Sequence, residues 1–310
     1  MEQDTPKKFQ VQERPTKRIS VNDALTQDVF SMTAEEFQKL MDGDERKFLE
    51  AKTKKHGVIT SSYWLKCLDD ERIKISKPLD ESDRNILDAC ISAQQAGYEI
   101  ITLRGIWRSI TGNLNANMTL TPALRKEILE RIDRLACLRL TVDISNACSK
   151  KIYADDTKYK ARVTLLPCDI IEAEINGQLC DAVIKFNGES PLIKIARARS
   201  GKKGAAQILT YPVKLLNVPN QRDTPTTTAI KNYIVRRIET AKLHTNMKRT
   251  ILFSTLLERC GLSDADRKKR YKILHIIEEI MKSLVEKEEI KSFEIVKLQG
   301  ALTKIIFTFP

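Results

Sequence analysis

Histidine is scarce in this chain of 310 residues: there are three, His56, His244 and His275, and they lie far apart. No pair stands at metal-ligand spacing, which argues against a zinc site and against a rolling-circle nicking enzyme, whose chemistry needs paired metal-binding histidines beside a tyrosine. The seven cysteines (67, 90, 137, 148, 168, 180 and 260) form no CxxC pair and are odd in number, so a disulfide framework is not indicated. Most sit in apolar patterns and are expected to be buried thiols. SGKKG (200–204) lacks the first glycine and the Ser/Thr of a phosphate-binding loop, which leaves ATP hydrolysis without its cradle. No run reaches the ~18 apolar residues of a membrane helix. MEQDTPKKFQVQERPTKRIS has no apolar core of a signal peptide, and the expectation is a cytoplasmic protein.

What is present is cationic charge, placed unevenly. The net charge of +12 is not spread along the chain. Residues 1–55 hold 11 Lys/Arg and 11 Asp/Glu, residues 56–184 hold 17 and 18, and residues 185–310 hold 25 and 12. The whole basic excess therefore lies in the C-terminal portion, where a polyanion-binding surface is expected. With 42% hydrophobic residues the chain has material for two ordinary cores. The division expected is a polar tail with short helices over 1–57, including a helical segment over 45–55, then a first domain over 58–200 and a basic second domain over 201–310.

The second domain is organised around SDADRKKRYKILHIIEEIMKSLVEKEEIKSFEIVKLQGALTKIIFTF (263–309). Ser263 with Asp266 reads as a capping-box start, and Ile273, Ile277, Ile280 and Leu284, with Leu274, Met281 and Val285, form one apolar stripe at helical spacing over about 264–288. Arg267, Lys268, Lys269, Arg270 and Lys272 crowd the first turns. Exposed cations there oppose the helix dipole by roughly 0.3–1 kcal/mol each, so their concentration points to a polyanionic partner. Tyr271 lies among them. SFEIVKL and ALTKIIFTF then alternate around Gln299-Gly300 as a hairpin, with Ala301, Ile305, Phe307 and Phe309 on one face and Lys304 on the second strand. Two amphipathic helices precede, over 226–242 and over 249–261, the latter closed by Gly261. Helix, helix, recognition helix and hairpin in that order is the arrangement of a winged helix.

The same order occurs once before. Residues 80–97 form a helix ended by Gly97, 103–112 a short one ended by Gly112, and Thr121-Pro122 open a third carrying Leu124, Ile128, Ile132 and Leu135. RLTVDI (139–144) leaves it as a strand. KARVTLLP (160–167), DIIEAEI (169–175), QLCDAVIKF (178–186) and PLIKIARAR (191–199) are expected to enlarge the first wing into one meander. Arg125 and Lys126 are candidate DNA contacts on the third helix, although Glu127, Glu130 and Asp133 nearly balance its face. Trp107, Ile106 and Ile110 mark a self-association surface. Arg197, Arg199, Lys202 and Lys203, around the link SGKKGAAQ, are candidate phosphate contacts. The fold class expected is α+β, two winged helices in tandem.

From about residue 80 to the C-terminus this layout resembles the replication initiator (Rep) proteins of plasmids and phages. YPVKLLNVPNQRDTPTTTAIKNYIVRRIETAK looks like that family's entry into its second winged helix, with the aliphatic-Arg-Arg-aliphatic pattern at Val235-Arg236-Arg237-Ile238. The resemblance implies binding to repeated origin sequences in double-stranded DNA, local duplex opening and recruitment of host helicase or initiator proteins. It also implies dimers that repress their own promoter and monomers that initiate, in association with plasmid or nucleoid DNA. No cofactor and no enzymatic step are expected, because the chain lacks the motifs of an ATPase or a nicking enzyme. A winged-helix transcriptional regulator is the alternative on the same fold. A metal-dependent nuclease built on Asp169, Glu172, Glu174, Asp181 and Lys185 is a more remote one, because alternating acids on a hairpin usually mark its solvent face.

Overall fold

A computed structural model of the chain describes residues 11–12, 15–21, 26, 29–31, 51–52, 59–64, 79–143, 160–176, 178–194, 208–219, 221–243, 247–298 and 301–310. The architecture is mixed α+β, with a helix–strand–helix–helix–hairpin order used twice. In the first module α1 (Glu81–Gln95) leads into β5 (Ile100–Thr102), α2 (Leu103–Thr111) and α3 (Pro122–Cys137), and a hairpin of β8 (Cys168–Ile175) and β9 (Gln178–Phe186) follows later. In the second, α4 (Pro225–Leu243) leads into β11 (Thr250–Leu252), α5 (Phe253–Arg259) and α6 (Arg267–Glu286), then the hairpin β12 (Ser292–Leu298) and β13 (Ala301–Thr308).

Local chemistry sets these boundaries. Asp80 caps α1 by accepting from the amides of Ser82 and Asp83, while the Asp83 carboxylate accepts from the Asp80 amide at 2.8 Å, a reciprocal capping box. Thr121 caps α3 and Pro122 occupies its first turn. Gly112, at φ +75, closes α2, and a Cβ there would overlap the Asn217 amide, so glycine is required by both backbone conformation and space. Gly261, at φ +65, ends α5 in the left-handed conformation that the sequence pattern implied. The stripe of α6 is inward as expected, with Ile273, Ile277, Ile280, Met281 and Leu284 buried.

Several expectations are corrected. The segment 249–261 is not all helix: Thr250–Leu252 is a strand that pairs antiparallel with β13 (Leu252 opposite Lys304) and makes the sheet β11-β13-β12. The expected single meander over 160–199 is instead divided. β8 and β9 join β5 and the two-residue β1 (Val11–Gln12), whereas β7 (Lys160–Thr164) pairs with β6 (Leu138–Asp143) in a separate sheet with β4 (Ile59–Trp64) and β3 (Ala51–Lys52). Ala51–Lys52 is thus a strand within the segment 45–55 that the sequence marks as helical, and the rest of that segment lies outside the described residues. Residues 191–194 are a helical turn, not a strand. The N-terminal portion is not wholly a tail either. β2 (Arg18–Val21) pairs with β10 (Leu209–Pro212), the Ser20 amide donates to Ser92 Oγ on α1 at 2.8 Å, and Ile19 is buried in the second module's core.

Trp107, Ile106 and Ile110 are buried in the first module's core, beside Ile86, Ile128 and Ile132. Their apolar area is already removed from water inside the chain, so they cannot serve as the self-association surface. Among the thiols, Cys90 is fully buried, as its apolar surroundings in the sequence imply, and burial pushes Cys168 and Cys260 up to about 12.

The two cores meet across polar groups. On α4, Arg236 is buried and its guanidinium pairs with Glu81 and with Asp88 (3.3 Å), both on α1. One turn earlier Asn232 donates to the Ile110 carbonyl at 2.7 Å, and Lys231 Nζ donates to the Thr111 carbonyl at 2.9 Å and to Asp223 at 2.8 Å. Burial lowers the Lys231 pKa and the Asp223 carboxylate opposes that shift. Removing one partner of such a buried pair leaves the others charged and desolvated, at a typical cost of about 3–5 kcal/mol. Arg236→Ala is therefore expected to destabilise the protein by about 3–5 kcal/mol in urea unfolding, far more than the ~0.5 kcal/mol ordinary for a surface substitution such as Lys126→Ala.

Candidate nucleic-acid interface

The amino-terminal half of α6 carries an unusually bare cationic surface. Arg267, Lys268, Lys269, Arg270, Tyr271 and Lys272 are all exposed, Tyr271 at 75%. None of the five cations belongs to an ion pair among the described residues, whereas farther along the helix Lys282 pairs with Glu279 at 2.8 Å. The helix starts at Arg267, three residues later than expected, because Asp266 and not Ser263 is its cap: the Asp266 carboxylate accepts from the Lys269 amide at 2.7 Å. This single acceptor offsets part of the unfavourable meeting of five cations with the positive end of the helix dipole.

Lys268, Tyr271, Lys272 and His275 follow one another at i, i+3, i+4 and i+7 and are all exposed, so they form a stripe on the solvent side of the helix. His275 is not among the candidates that the sequence marks. Its spacing from Lys268 and Tyr271 is the signal that could have found it. Such a stripe suits a groove lined by phosphates: ammonium groups as mobile cations, and an aromatic ring and an imidazole between them able to reach sugar or base edges.

Arg270 has a different task. Its Nε donates to the Ala265 carbonyl at 2.8 Å and its Nη2 to the Ser263 carbonyl at 3.3 Å, so the guanidinium is folded back onto the turn between α5 and α6. Ala265 and Leu262 in that turn are buried, which fixes the angle at which α6 leaves α5. The hairpin stands on the same core. Ile305 and Phe307 are buried, Phe309 stacks edge-on against Phe307 with centroids 5.6 Å apart, and the Arg249 guanidinium lies 5.0 Å over Phe309. Lys304 is half-buried on β13, opposite Leu252.

The first module offers far less. On α3, Arg125 donates from Nε and Nη2 to the Leu120 carbonyl, at 3.3 and 3.2 Å, and Lys126 faces Glu130 at 4.0 Å. Arg131 reaches Asp80 at 2.8 Å, Asp83 at 3.2 Å and Glu127 at 2.9 Å, and Arg134 also binds Asp83. Burial raises Asp83 to about 6, the neighbouring Asp80 adds to that, and the two guanidiniums act against it. The arginines of α3 are consumed inside the fold, and Lys126 alone of these four cations projects into solvent. Arg197, Arg199, Lys202 and Lys203 lie outside the described residues.

The acids of the nuclease alternative do not converge. Across β8 and β9, Asp169 stands opposite Lys185 and Asp181 opposite Ala173, while Glu172 and Glu174 face Ala182 and Leu179; Asp169 also accepts from Asn187 Nδ2 at 2.6 Å.

No protein-family model matches the chain, and no curated protein does. Among solved structures, the crystal structure of RctB domains 2–3 aligns with a TM-score of 0.40 at 11% identity, over 85% of this chain and 92% of that one. A selenomethionine derivative of domains 2 and 3 of RctB aligns with a TM-score of 0.38 at 12% identity over the same shares.

The geometry separates the cations by role. Arg270→Ala removes two hydrogen bonds from a charged donor and is expected to lower stability by about 1–3 kcal/mol, whereas Lys268→Ala, which removes an exposed cation near the positive helix end, is expected to leave stability level or slightly higher. Thermal unfolding of the two variants side by side checks this. Equal melting temperatures would mean that Arg270 does not hold the turn.

Proposed function

We propose that the chain is a non-enzymatic, sequence-specific double-stranded DNA-binding protein made of two winged helices in tandem, and that it reads the major groove with the amino-terminal half of α6. The observation that carries this reading is the exposed run Arg267 to Lys272, without carboxylate partners among the described residues, at the start of a helix that a short helix precedes and a hairpin follows. A solvated surface gains nothing from that arrangement, since the cations oppose the dipole of their own helix. A polyanion inverts the balance, because each phosphate neutralised releases condensed counterions. The β12–β13 hairpin with Lys304 is the wing in this reading and supplies secondary contacts. The charge contrast between α3 and α6 supports a reading in which the second module supplies most of the affinity.

The role that DNA binding serves is initiation of replication at origin repeats, with duplex opening and recruitment of host replication proteins. This rests on the resemblance of residues 80–310 to the Rep proteins, and self-association is part of the same expectation. The surface for it has to be sought away from the buried Trp107 helix.

Replacing Arg267, Lys268, Lys269 and Lys272 together by alanine, with Arg270 left in place, tests the DNA reading. Folding is expected to survive, since the changes remove exposed cations and introduce the best helix former. The slope of log affinity against log salt on duplex from the DNA flanking the gene is expected to fall by about 0.9 for each phosphate that is no longer neutralised. Lys282→Ala is the matched control on the far half of the helix. Lys287 is unsuitable for that purpose, because its Nζ donates to the Leu215 and Asn217 carbonyls. Unchanged affinity at every salt concentration, or an equal reduction in the control, would refute docking by this end of α6. Supplying the gene in trans to a plasmid that carries only the adjacent repeats separates initiator from regulator: maintenance supports the first, and a promoter shift without maintenance supports the second.

A further inference from the structure

A cleft of ≈ 250 Å³ opens where the two modules meet, lined by Arg84 of α1, Tyr233, Arg236 and Arg237 of α4, β11, and Thr255 and Arg259 of α5. No acid is among its lining residues within the described part of the chain. Arg84 and Arg236 are buried at its floor, where Glu81 and Asp88 answer them: Arg236 pairs with both, and Arg84 Nε lies 3.8 Å from Asp88. Arg237, half-buried, adds positive charge at the wall, where Arg259 also stands. Arg237 is held in a way that leaves its charge unanswered. Its Nη1 donates to the Met247 thioether at 3.2 Å, a weak acceptor, and its Nη2 to the Lys248 carbonyl at 3.4 Å, with no carboxylate among its partners.

We infer that this cleft is a second anion site, built for a phosphate group, and that its natural occupant is a backbone phosphate of the bound nucleic acid. Guanidinium forks matched to phosphate oxygens, beside the hydroxyls of Thr255 and Tyr233, form a donor set suited to a phosphodiester and poorly suited to a cation or an apolar ligand. Position supports the assignment. The cleft is walled by β11, whose Leu252 lies opposite Lys304 of the wing, and Lys248 and Arg249 are exposed just before that strand, so positive surface runs from the hairpin to the module junction. A phosphate held there would touch both modules at once, through Arg84 on one side and Arg237 and Arg259 on the other. The inference deepens the DNA-binding reading and shares its premise of a polyanionic partner.

The test uses the full chain and the variants Arg237→Gln, Arg237→Gln with Arg259→Gln, and Arg237→Lys. On duplex DNA the double variant is expected to lower the log-affinity versus log-salt slope by about 0.9 to 1.8, the equivalent of one or two phosphates, at an unchanged melting temperature. Arg237→Lys is expected to keep the slope, since the charge remains. A second arm measures the melting temperature in millimolar inorganic pyrophosphate, with sodium chloride at matched ionic strength as reference. A rise for the wild type that disappears in the double variant shows a phosphate site independently of DNA. If the wild type binds duplex and the double variant binds it with the same slope, the cleft does not hold a backbone phosphate and that assignment is overturned. If the wild type binds no duplex but pyrophosphate stabilises it through Arg237 and Arg259, the DNA reading fails and the cleft serves a free phosphate compound. If neither slope nor melting temperature responds, the site is refuted altogether. Should the double variant melt early, the single Arg237→Gln carries the same comparison.

Discussion

The ion pair that Arg236 makes with Glu81 and Asp88 is the interaction on which the arrangement of the two modules depends. Helix α4 belongs to the second core through Ile230, Ile234, Val235 and Ile238, yet its opposite face is committed to the first module through Lys231, Asn232 and Arg236. A helix buried on both sides must satisfy any polar group it carries. This one does so with carbonyls at the carboxyl end of α2 and carboxylates on α1, which are directional and leave little freedom in how the modules sit. Buried charge is costly to desolvate and adds little net stability over an apolar pair, but it penalises every misaligned arrangement. Close approach reinforces the same junction, since the backbone of Asn217 passes so near Gly112 that no side chain fits there.

The two modules share an order of elements and differ in how they use charge. On α3, four arginines and lysines are largely spent on Asp80, Asp83, Glu127, Glu130 and a backbone carbonyl, and the helix becomes part of a self-satisfied scaffold. On α6, one arginine of five cations is spent on structure, and the others face solvent. In the proposed DNA-binding reading, electrostatic steering toward a polyanion originates in the second module, and the fold of the first serves to position it.

Local signals made much of this legible. Caps and stops are decided by a few neighbouring atoms, so Thr121-Pro122, Gly112 and Gly261 could be read directly. The stripes of α6 and the alternation of β13 followed from periodicity, and the exposed run at 267–272 followed from charge counting. What escaped was decided at long range. Three residues, Thr250–Leu252, are too few to show a strand period inside an apolar segment, and only their pairing with β13 makes them one. Division of the expected meander into two sheets depends on partners far away in sequence, such as β4 for β6 and β5 for β9. Ile19 sits in a polar stretch, so its burial could not be inferred without β10 beside it. At the candidate interface, the fold-back of Arg270 onto two carbonyls and the burial of Arg236 next to the less covered Arg237 are invisible in a sequence where all three are simply arginine.

Lysine acetylation footprinting addresses the central claim most directly, because it reads individual side chains in the unmodified protein. The full chain is treated with a limiting acetylating reagent, alone and with duplex DNA from the region flanking its gene, and each lysine is quantified by mass spectrometry. Docking by the start of α6 requires that DNA protect Lys268, Lys269 and Lys272 strongly, with Lys282 on the same helix modified equally in both samples. Protection spread evenly over the exposed lysines, or protection of Lys282 without the amino-terminal three, would contradict the account.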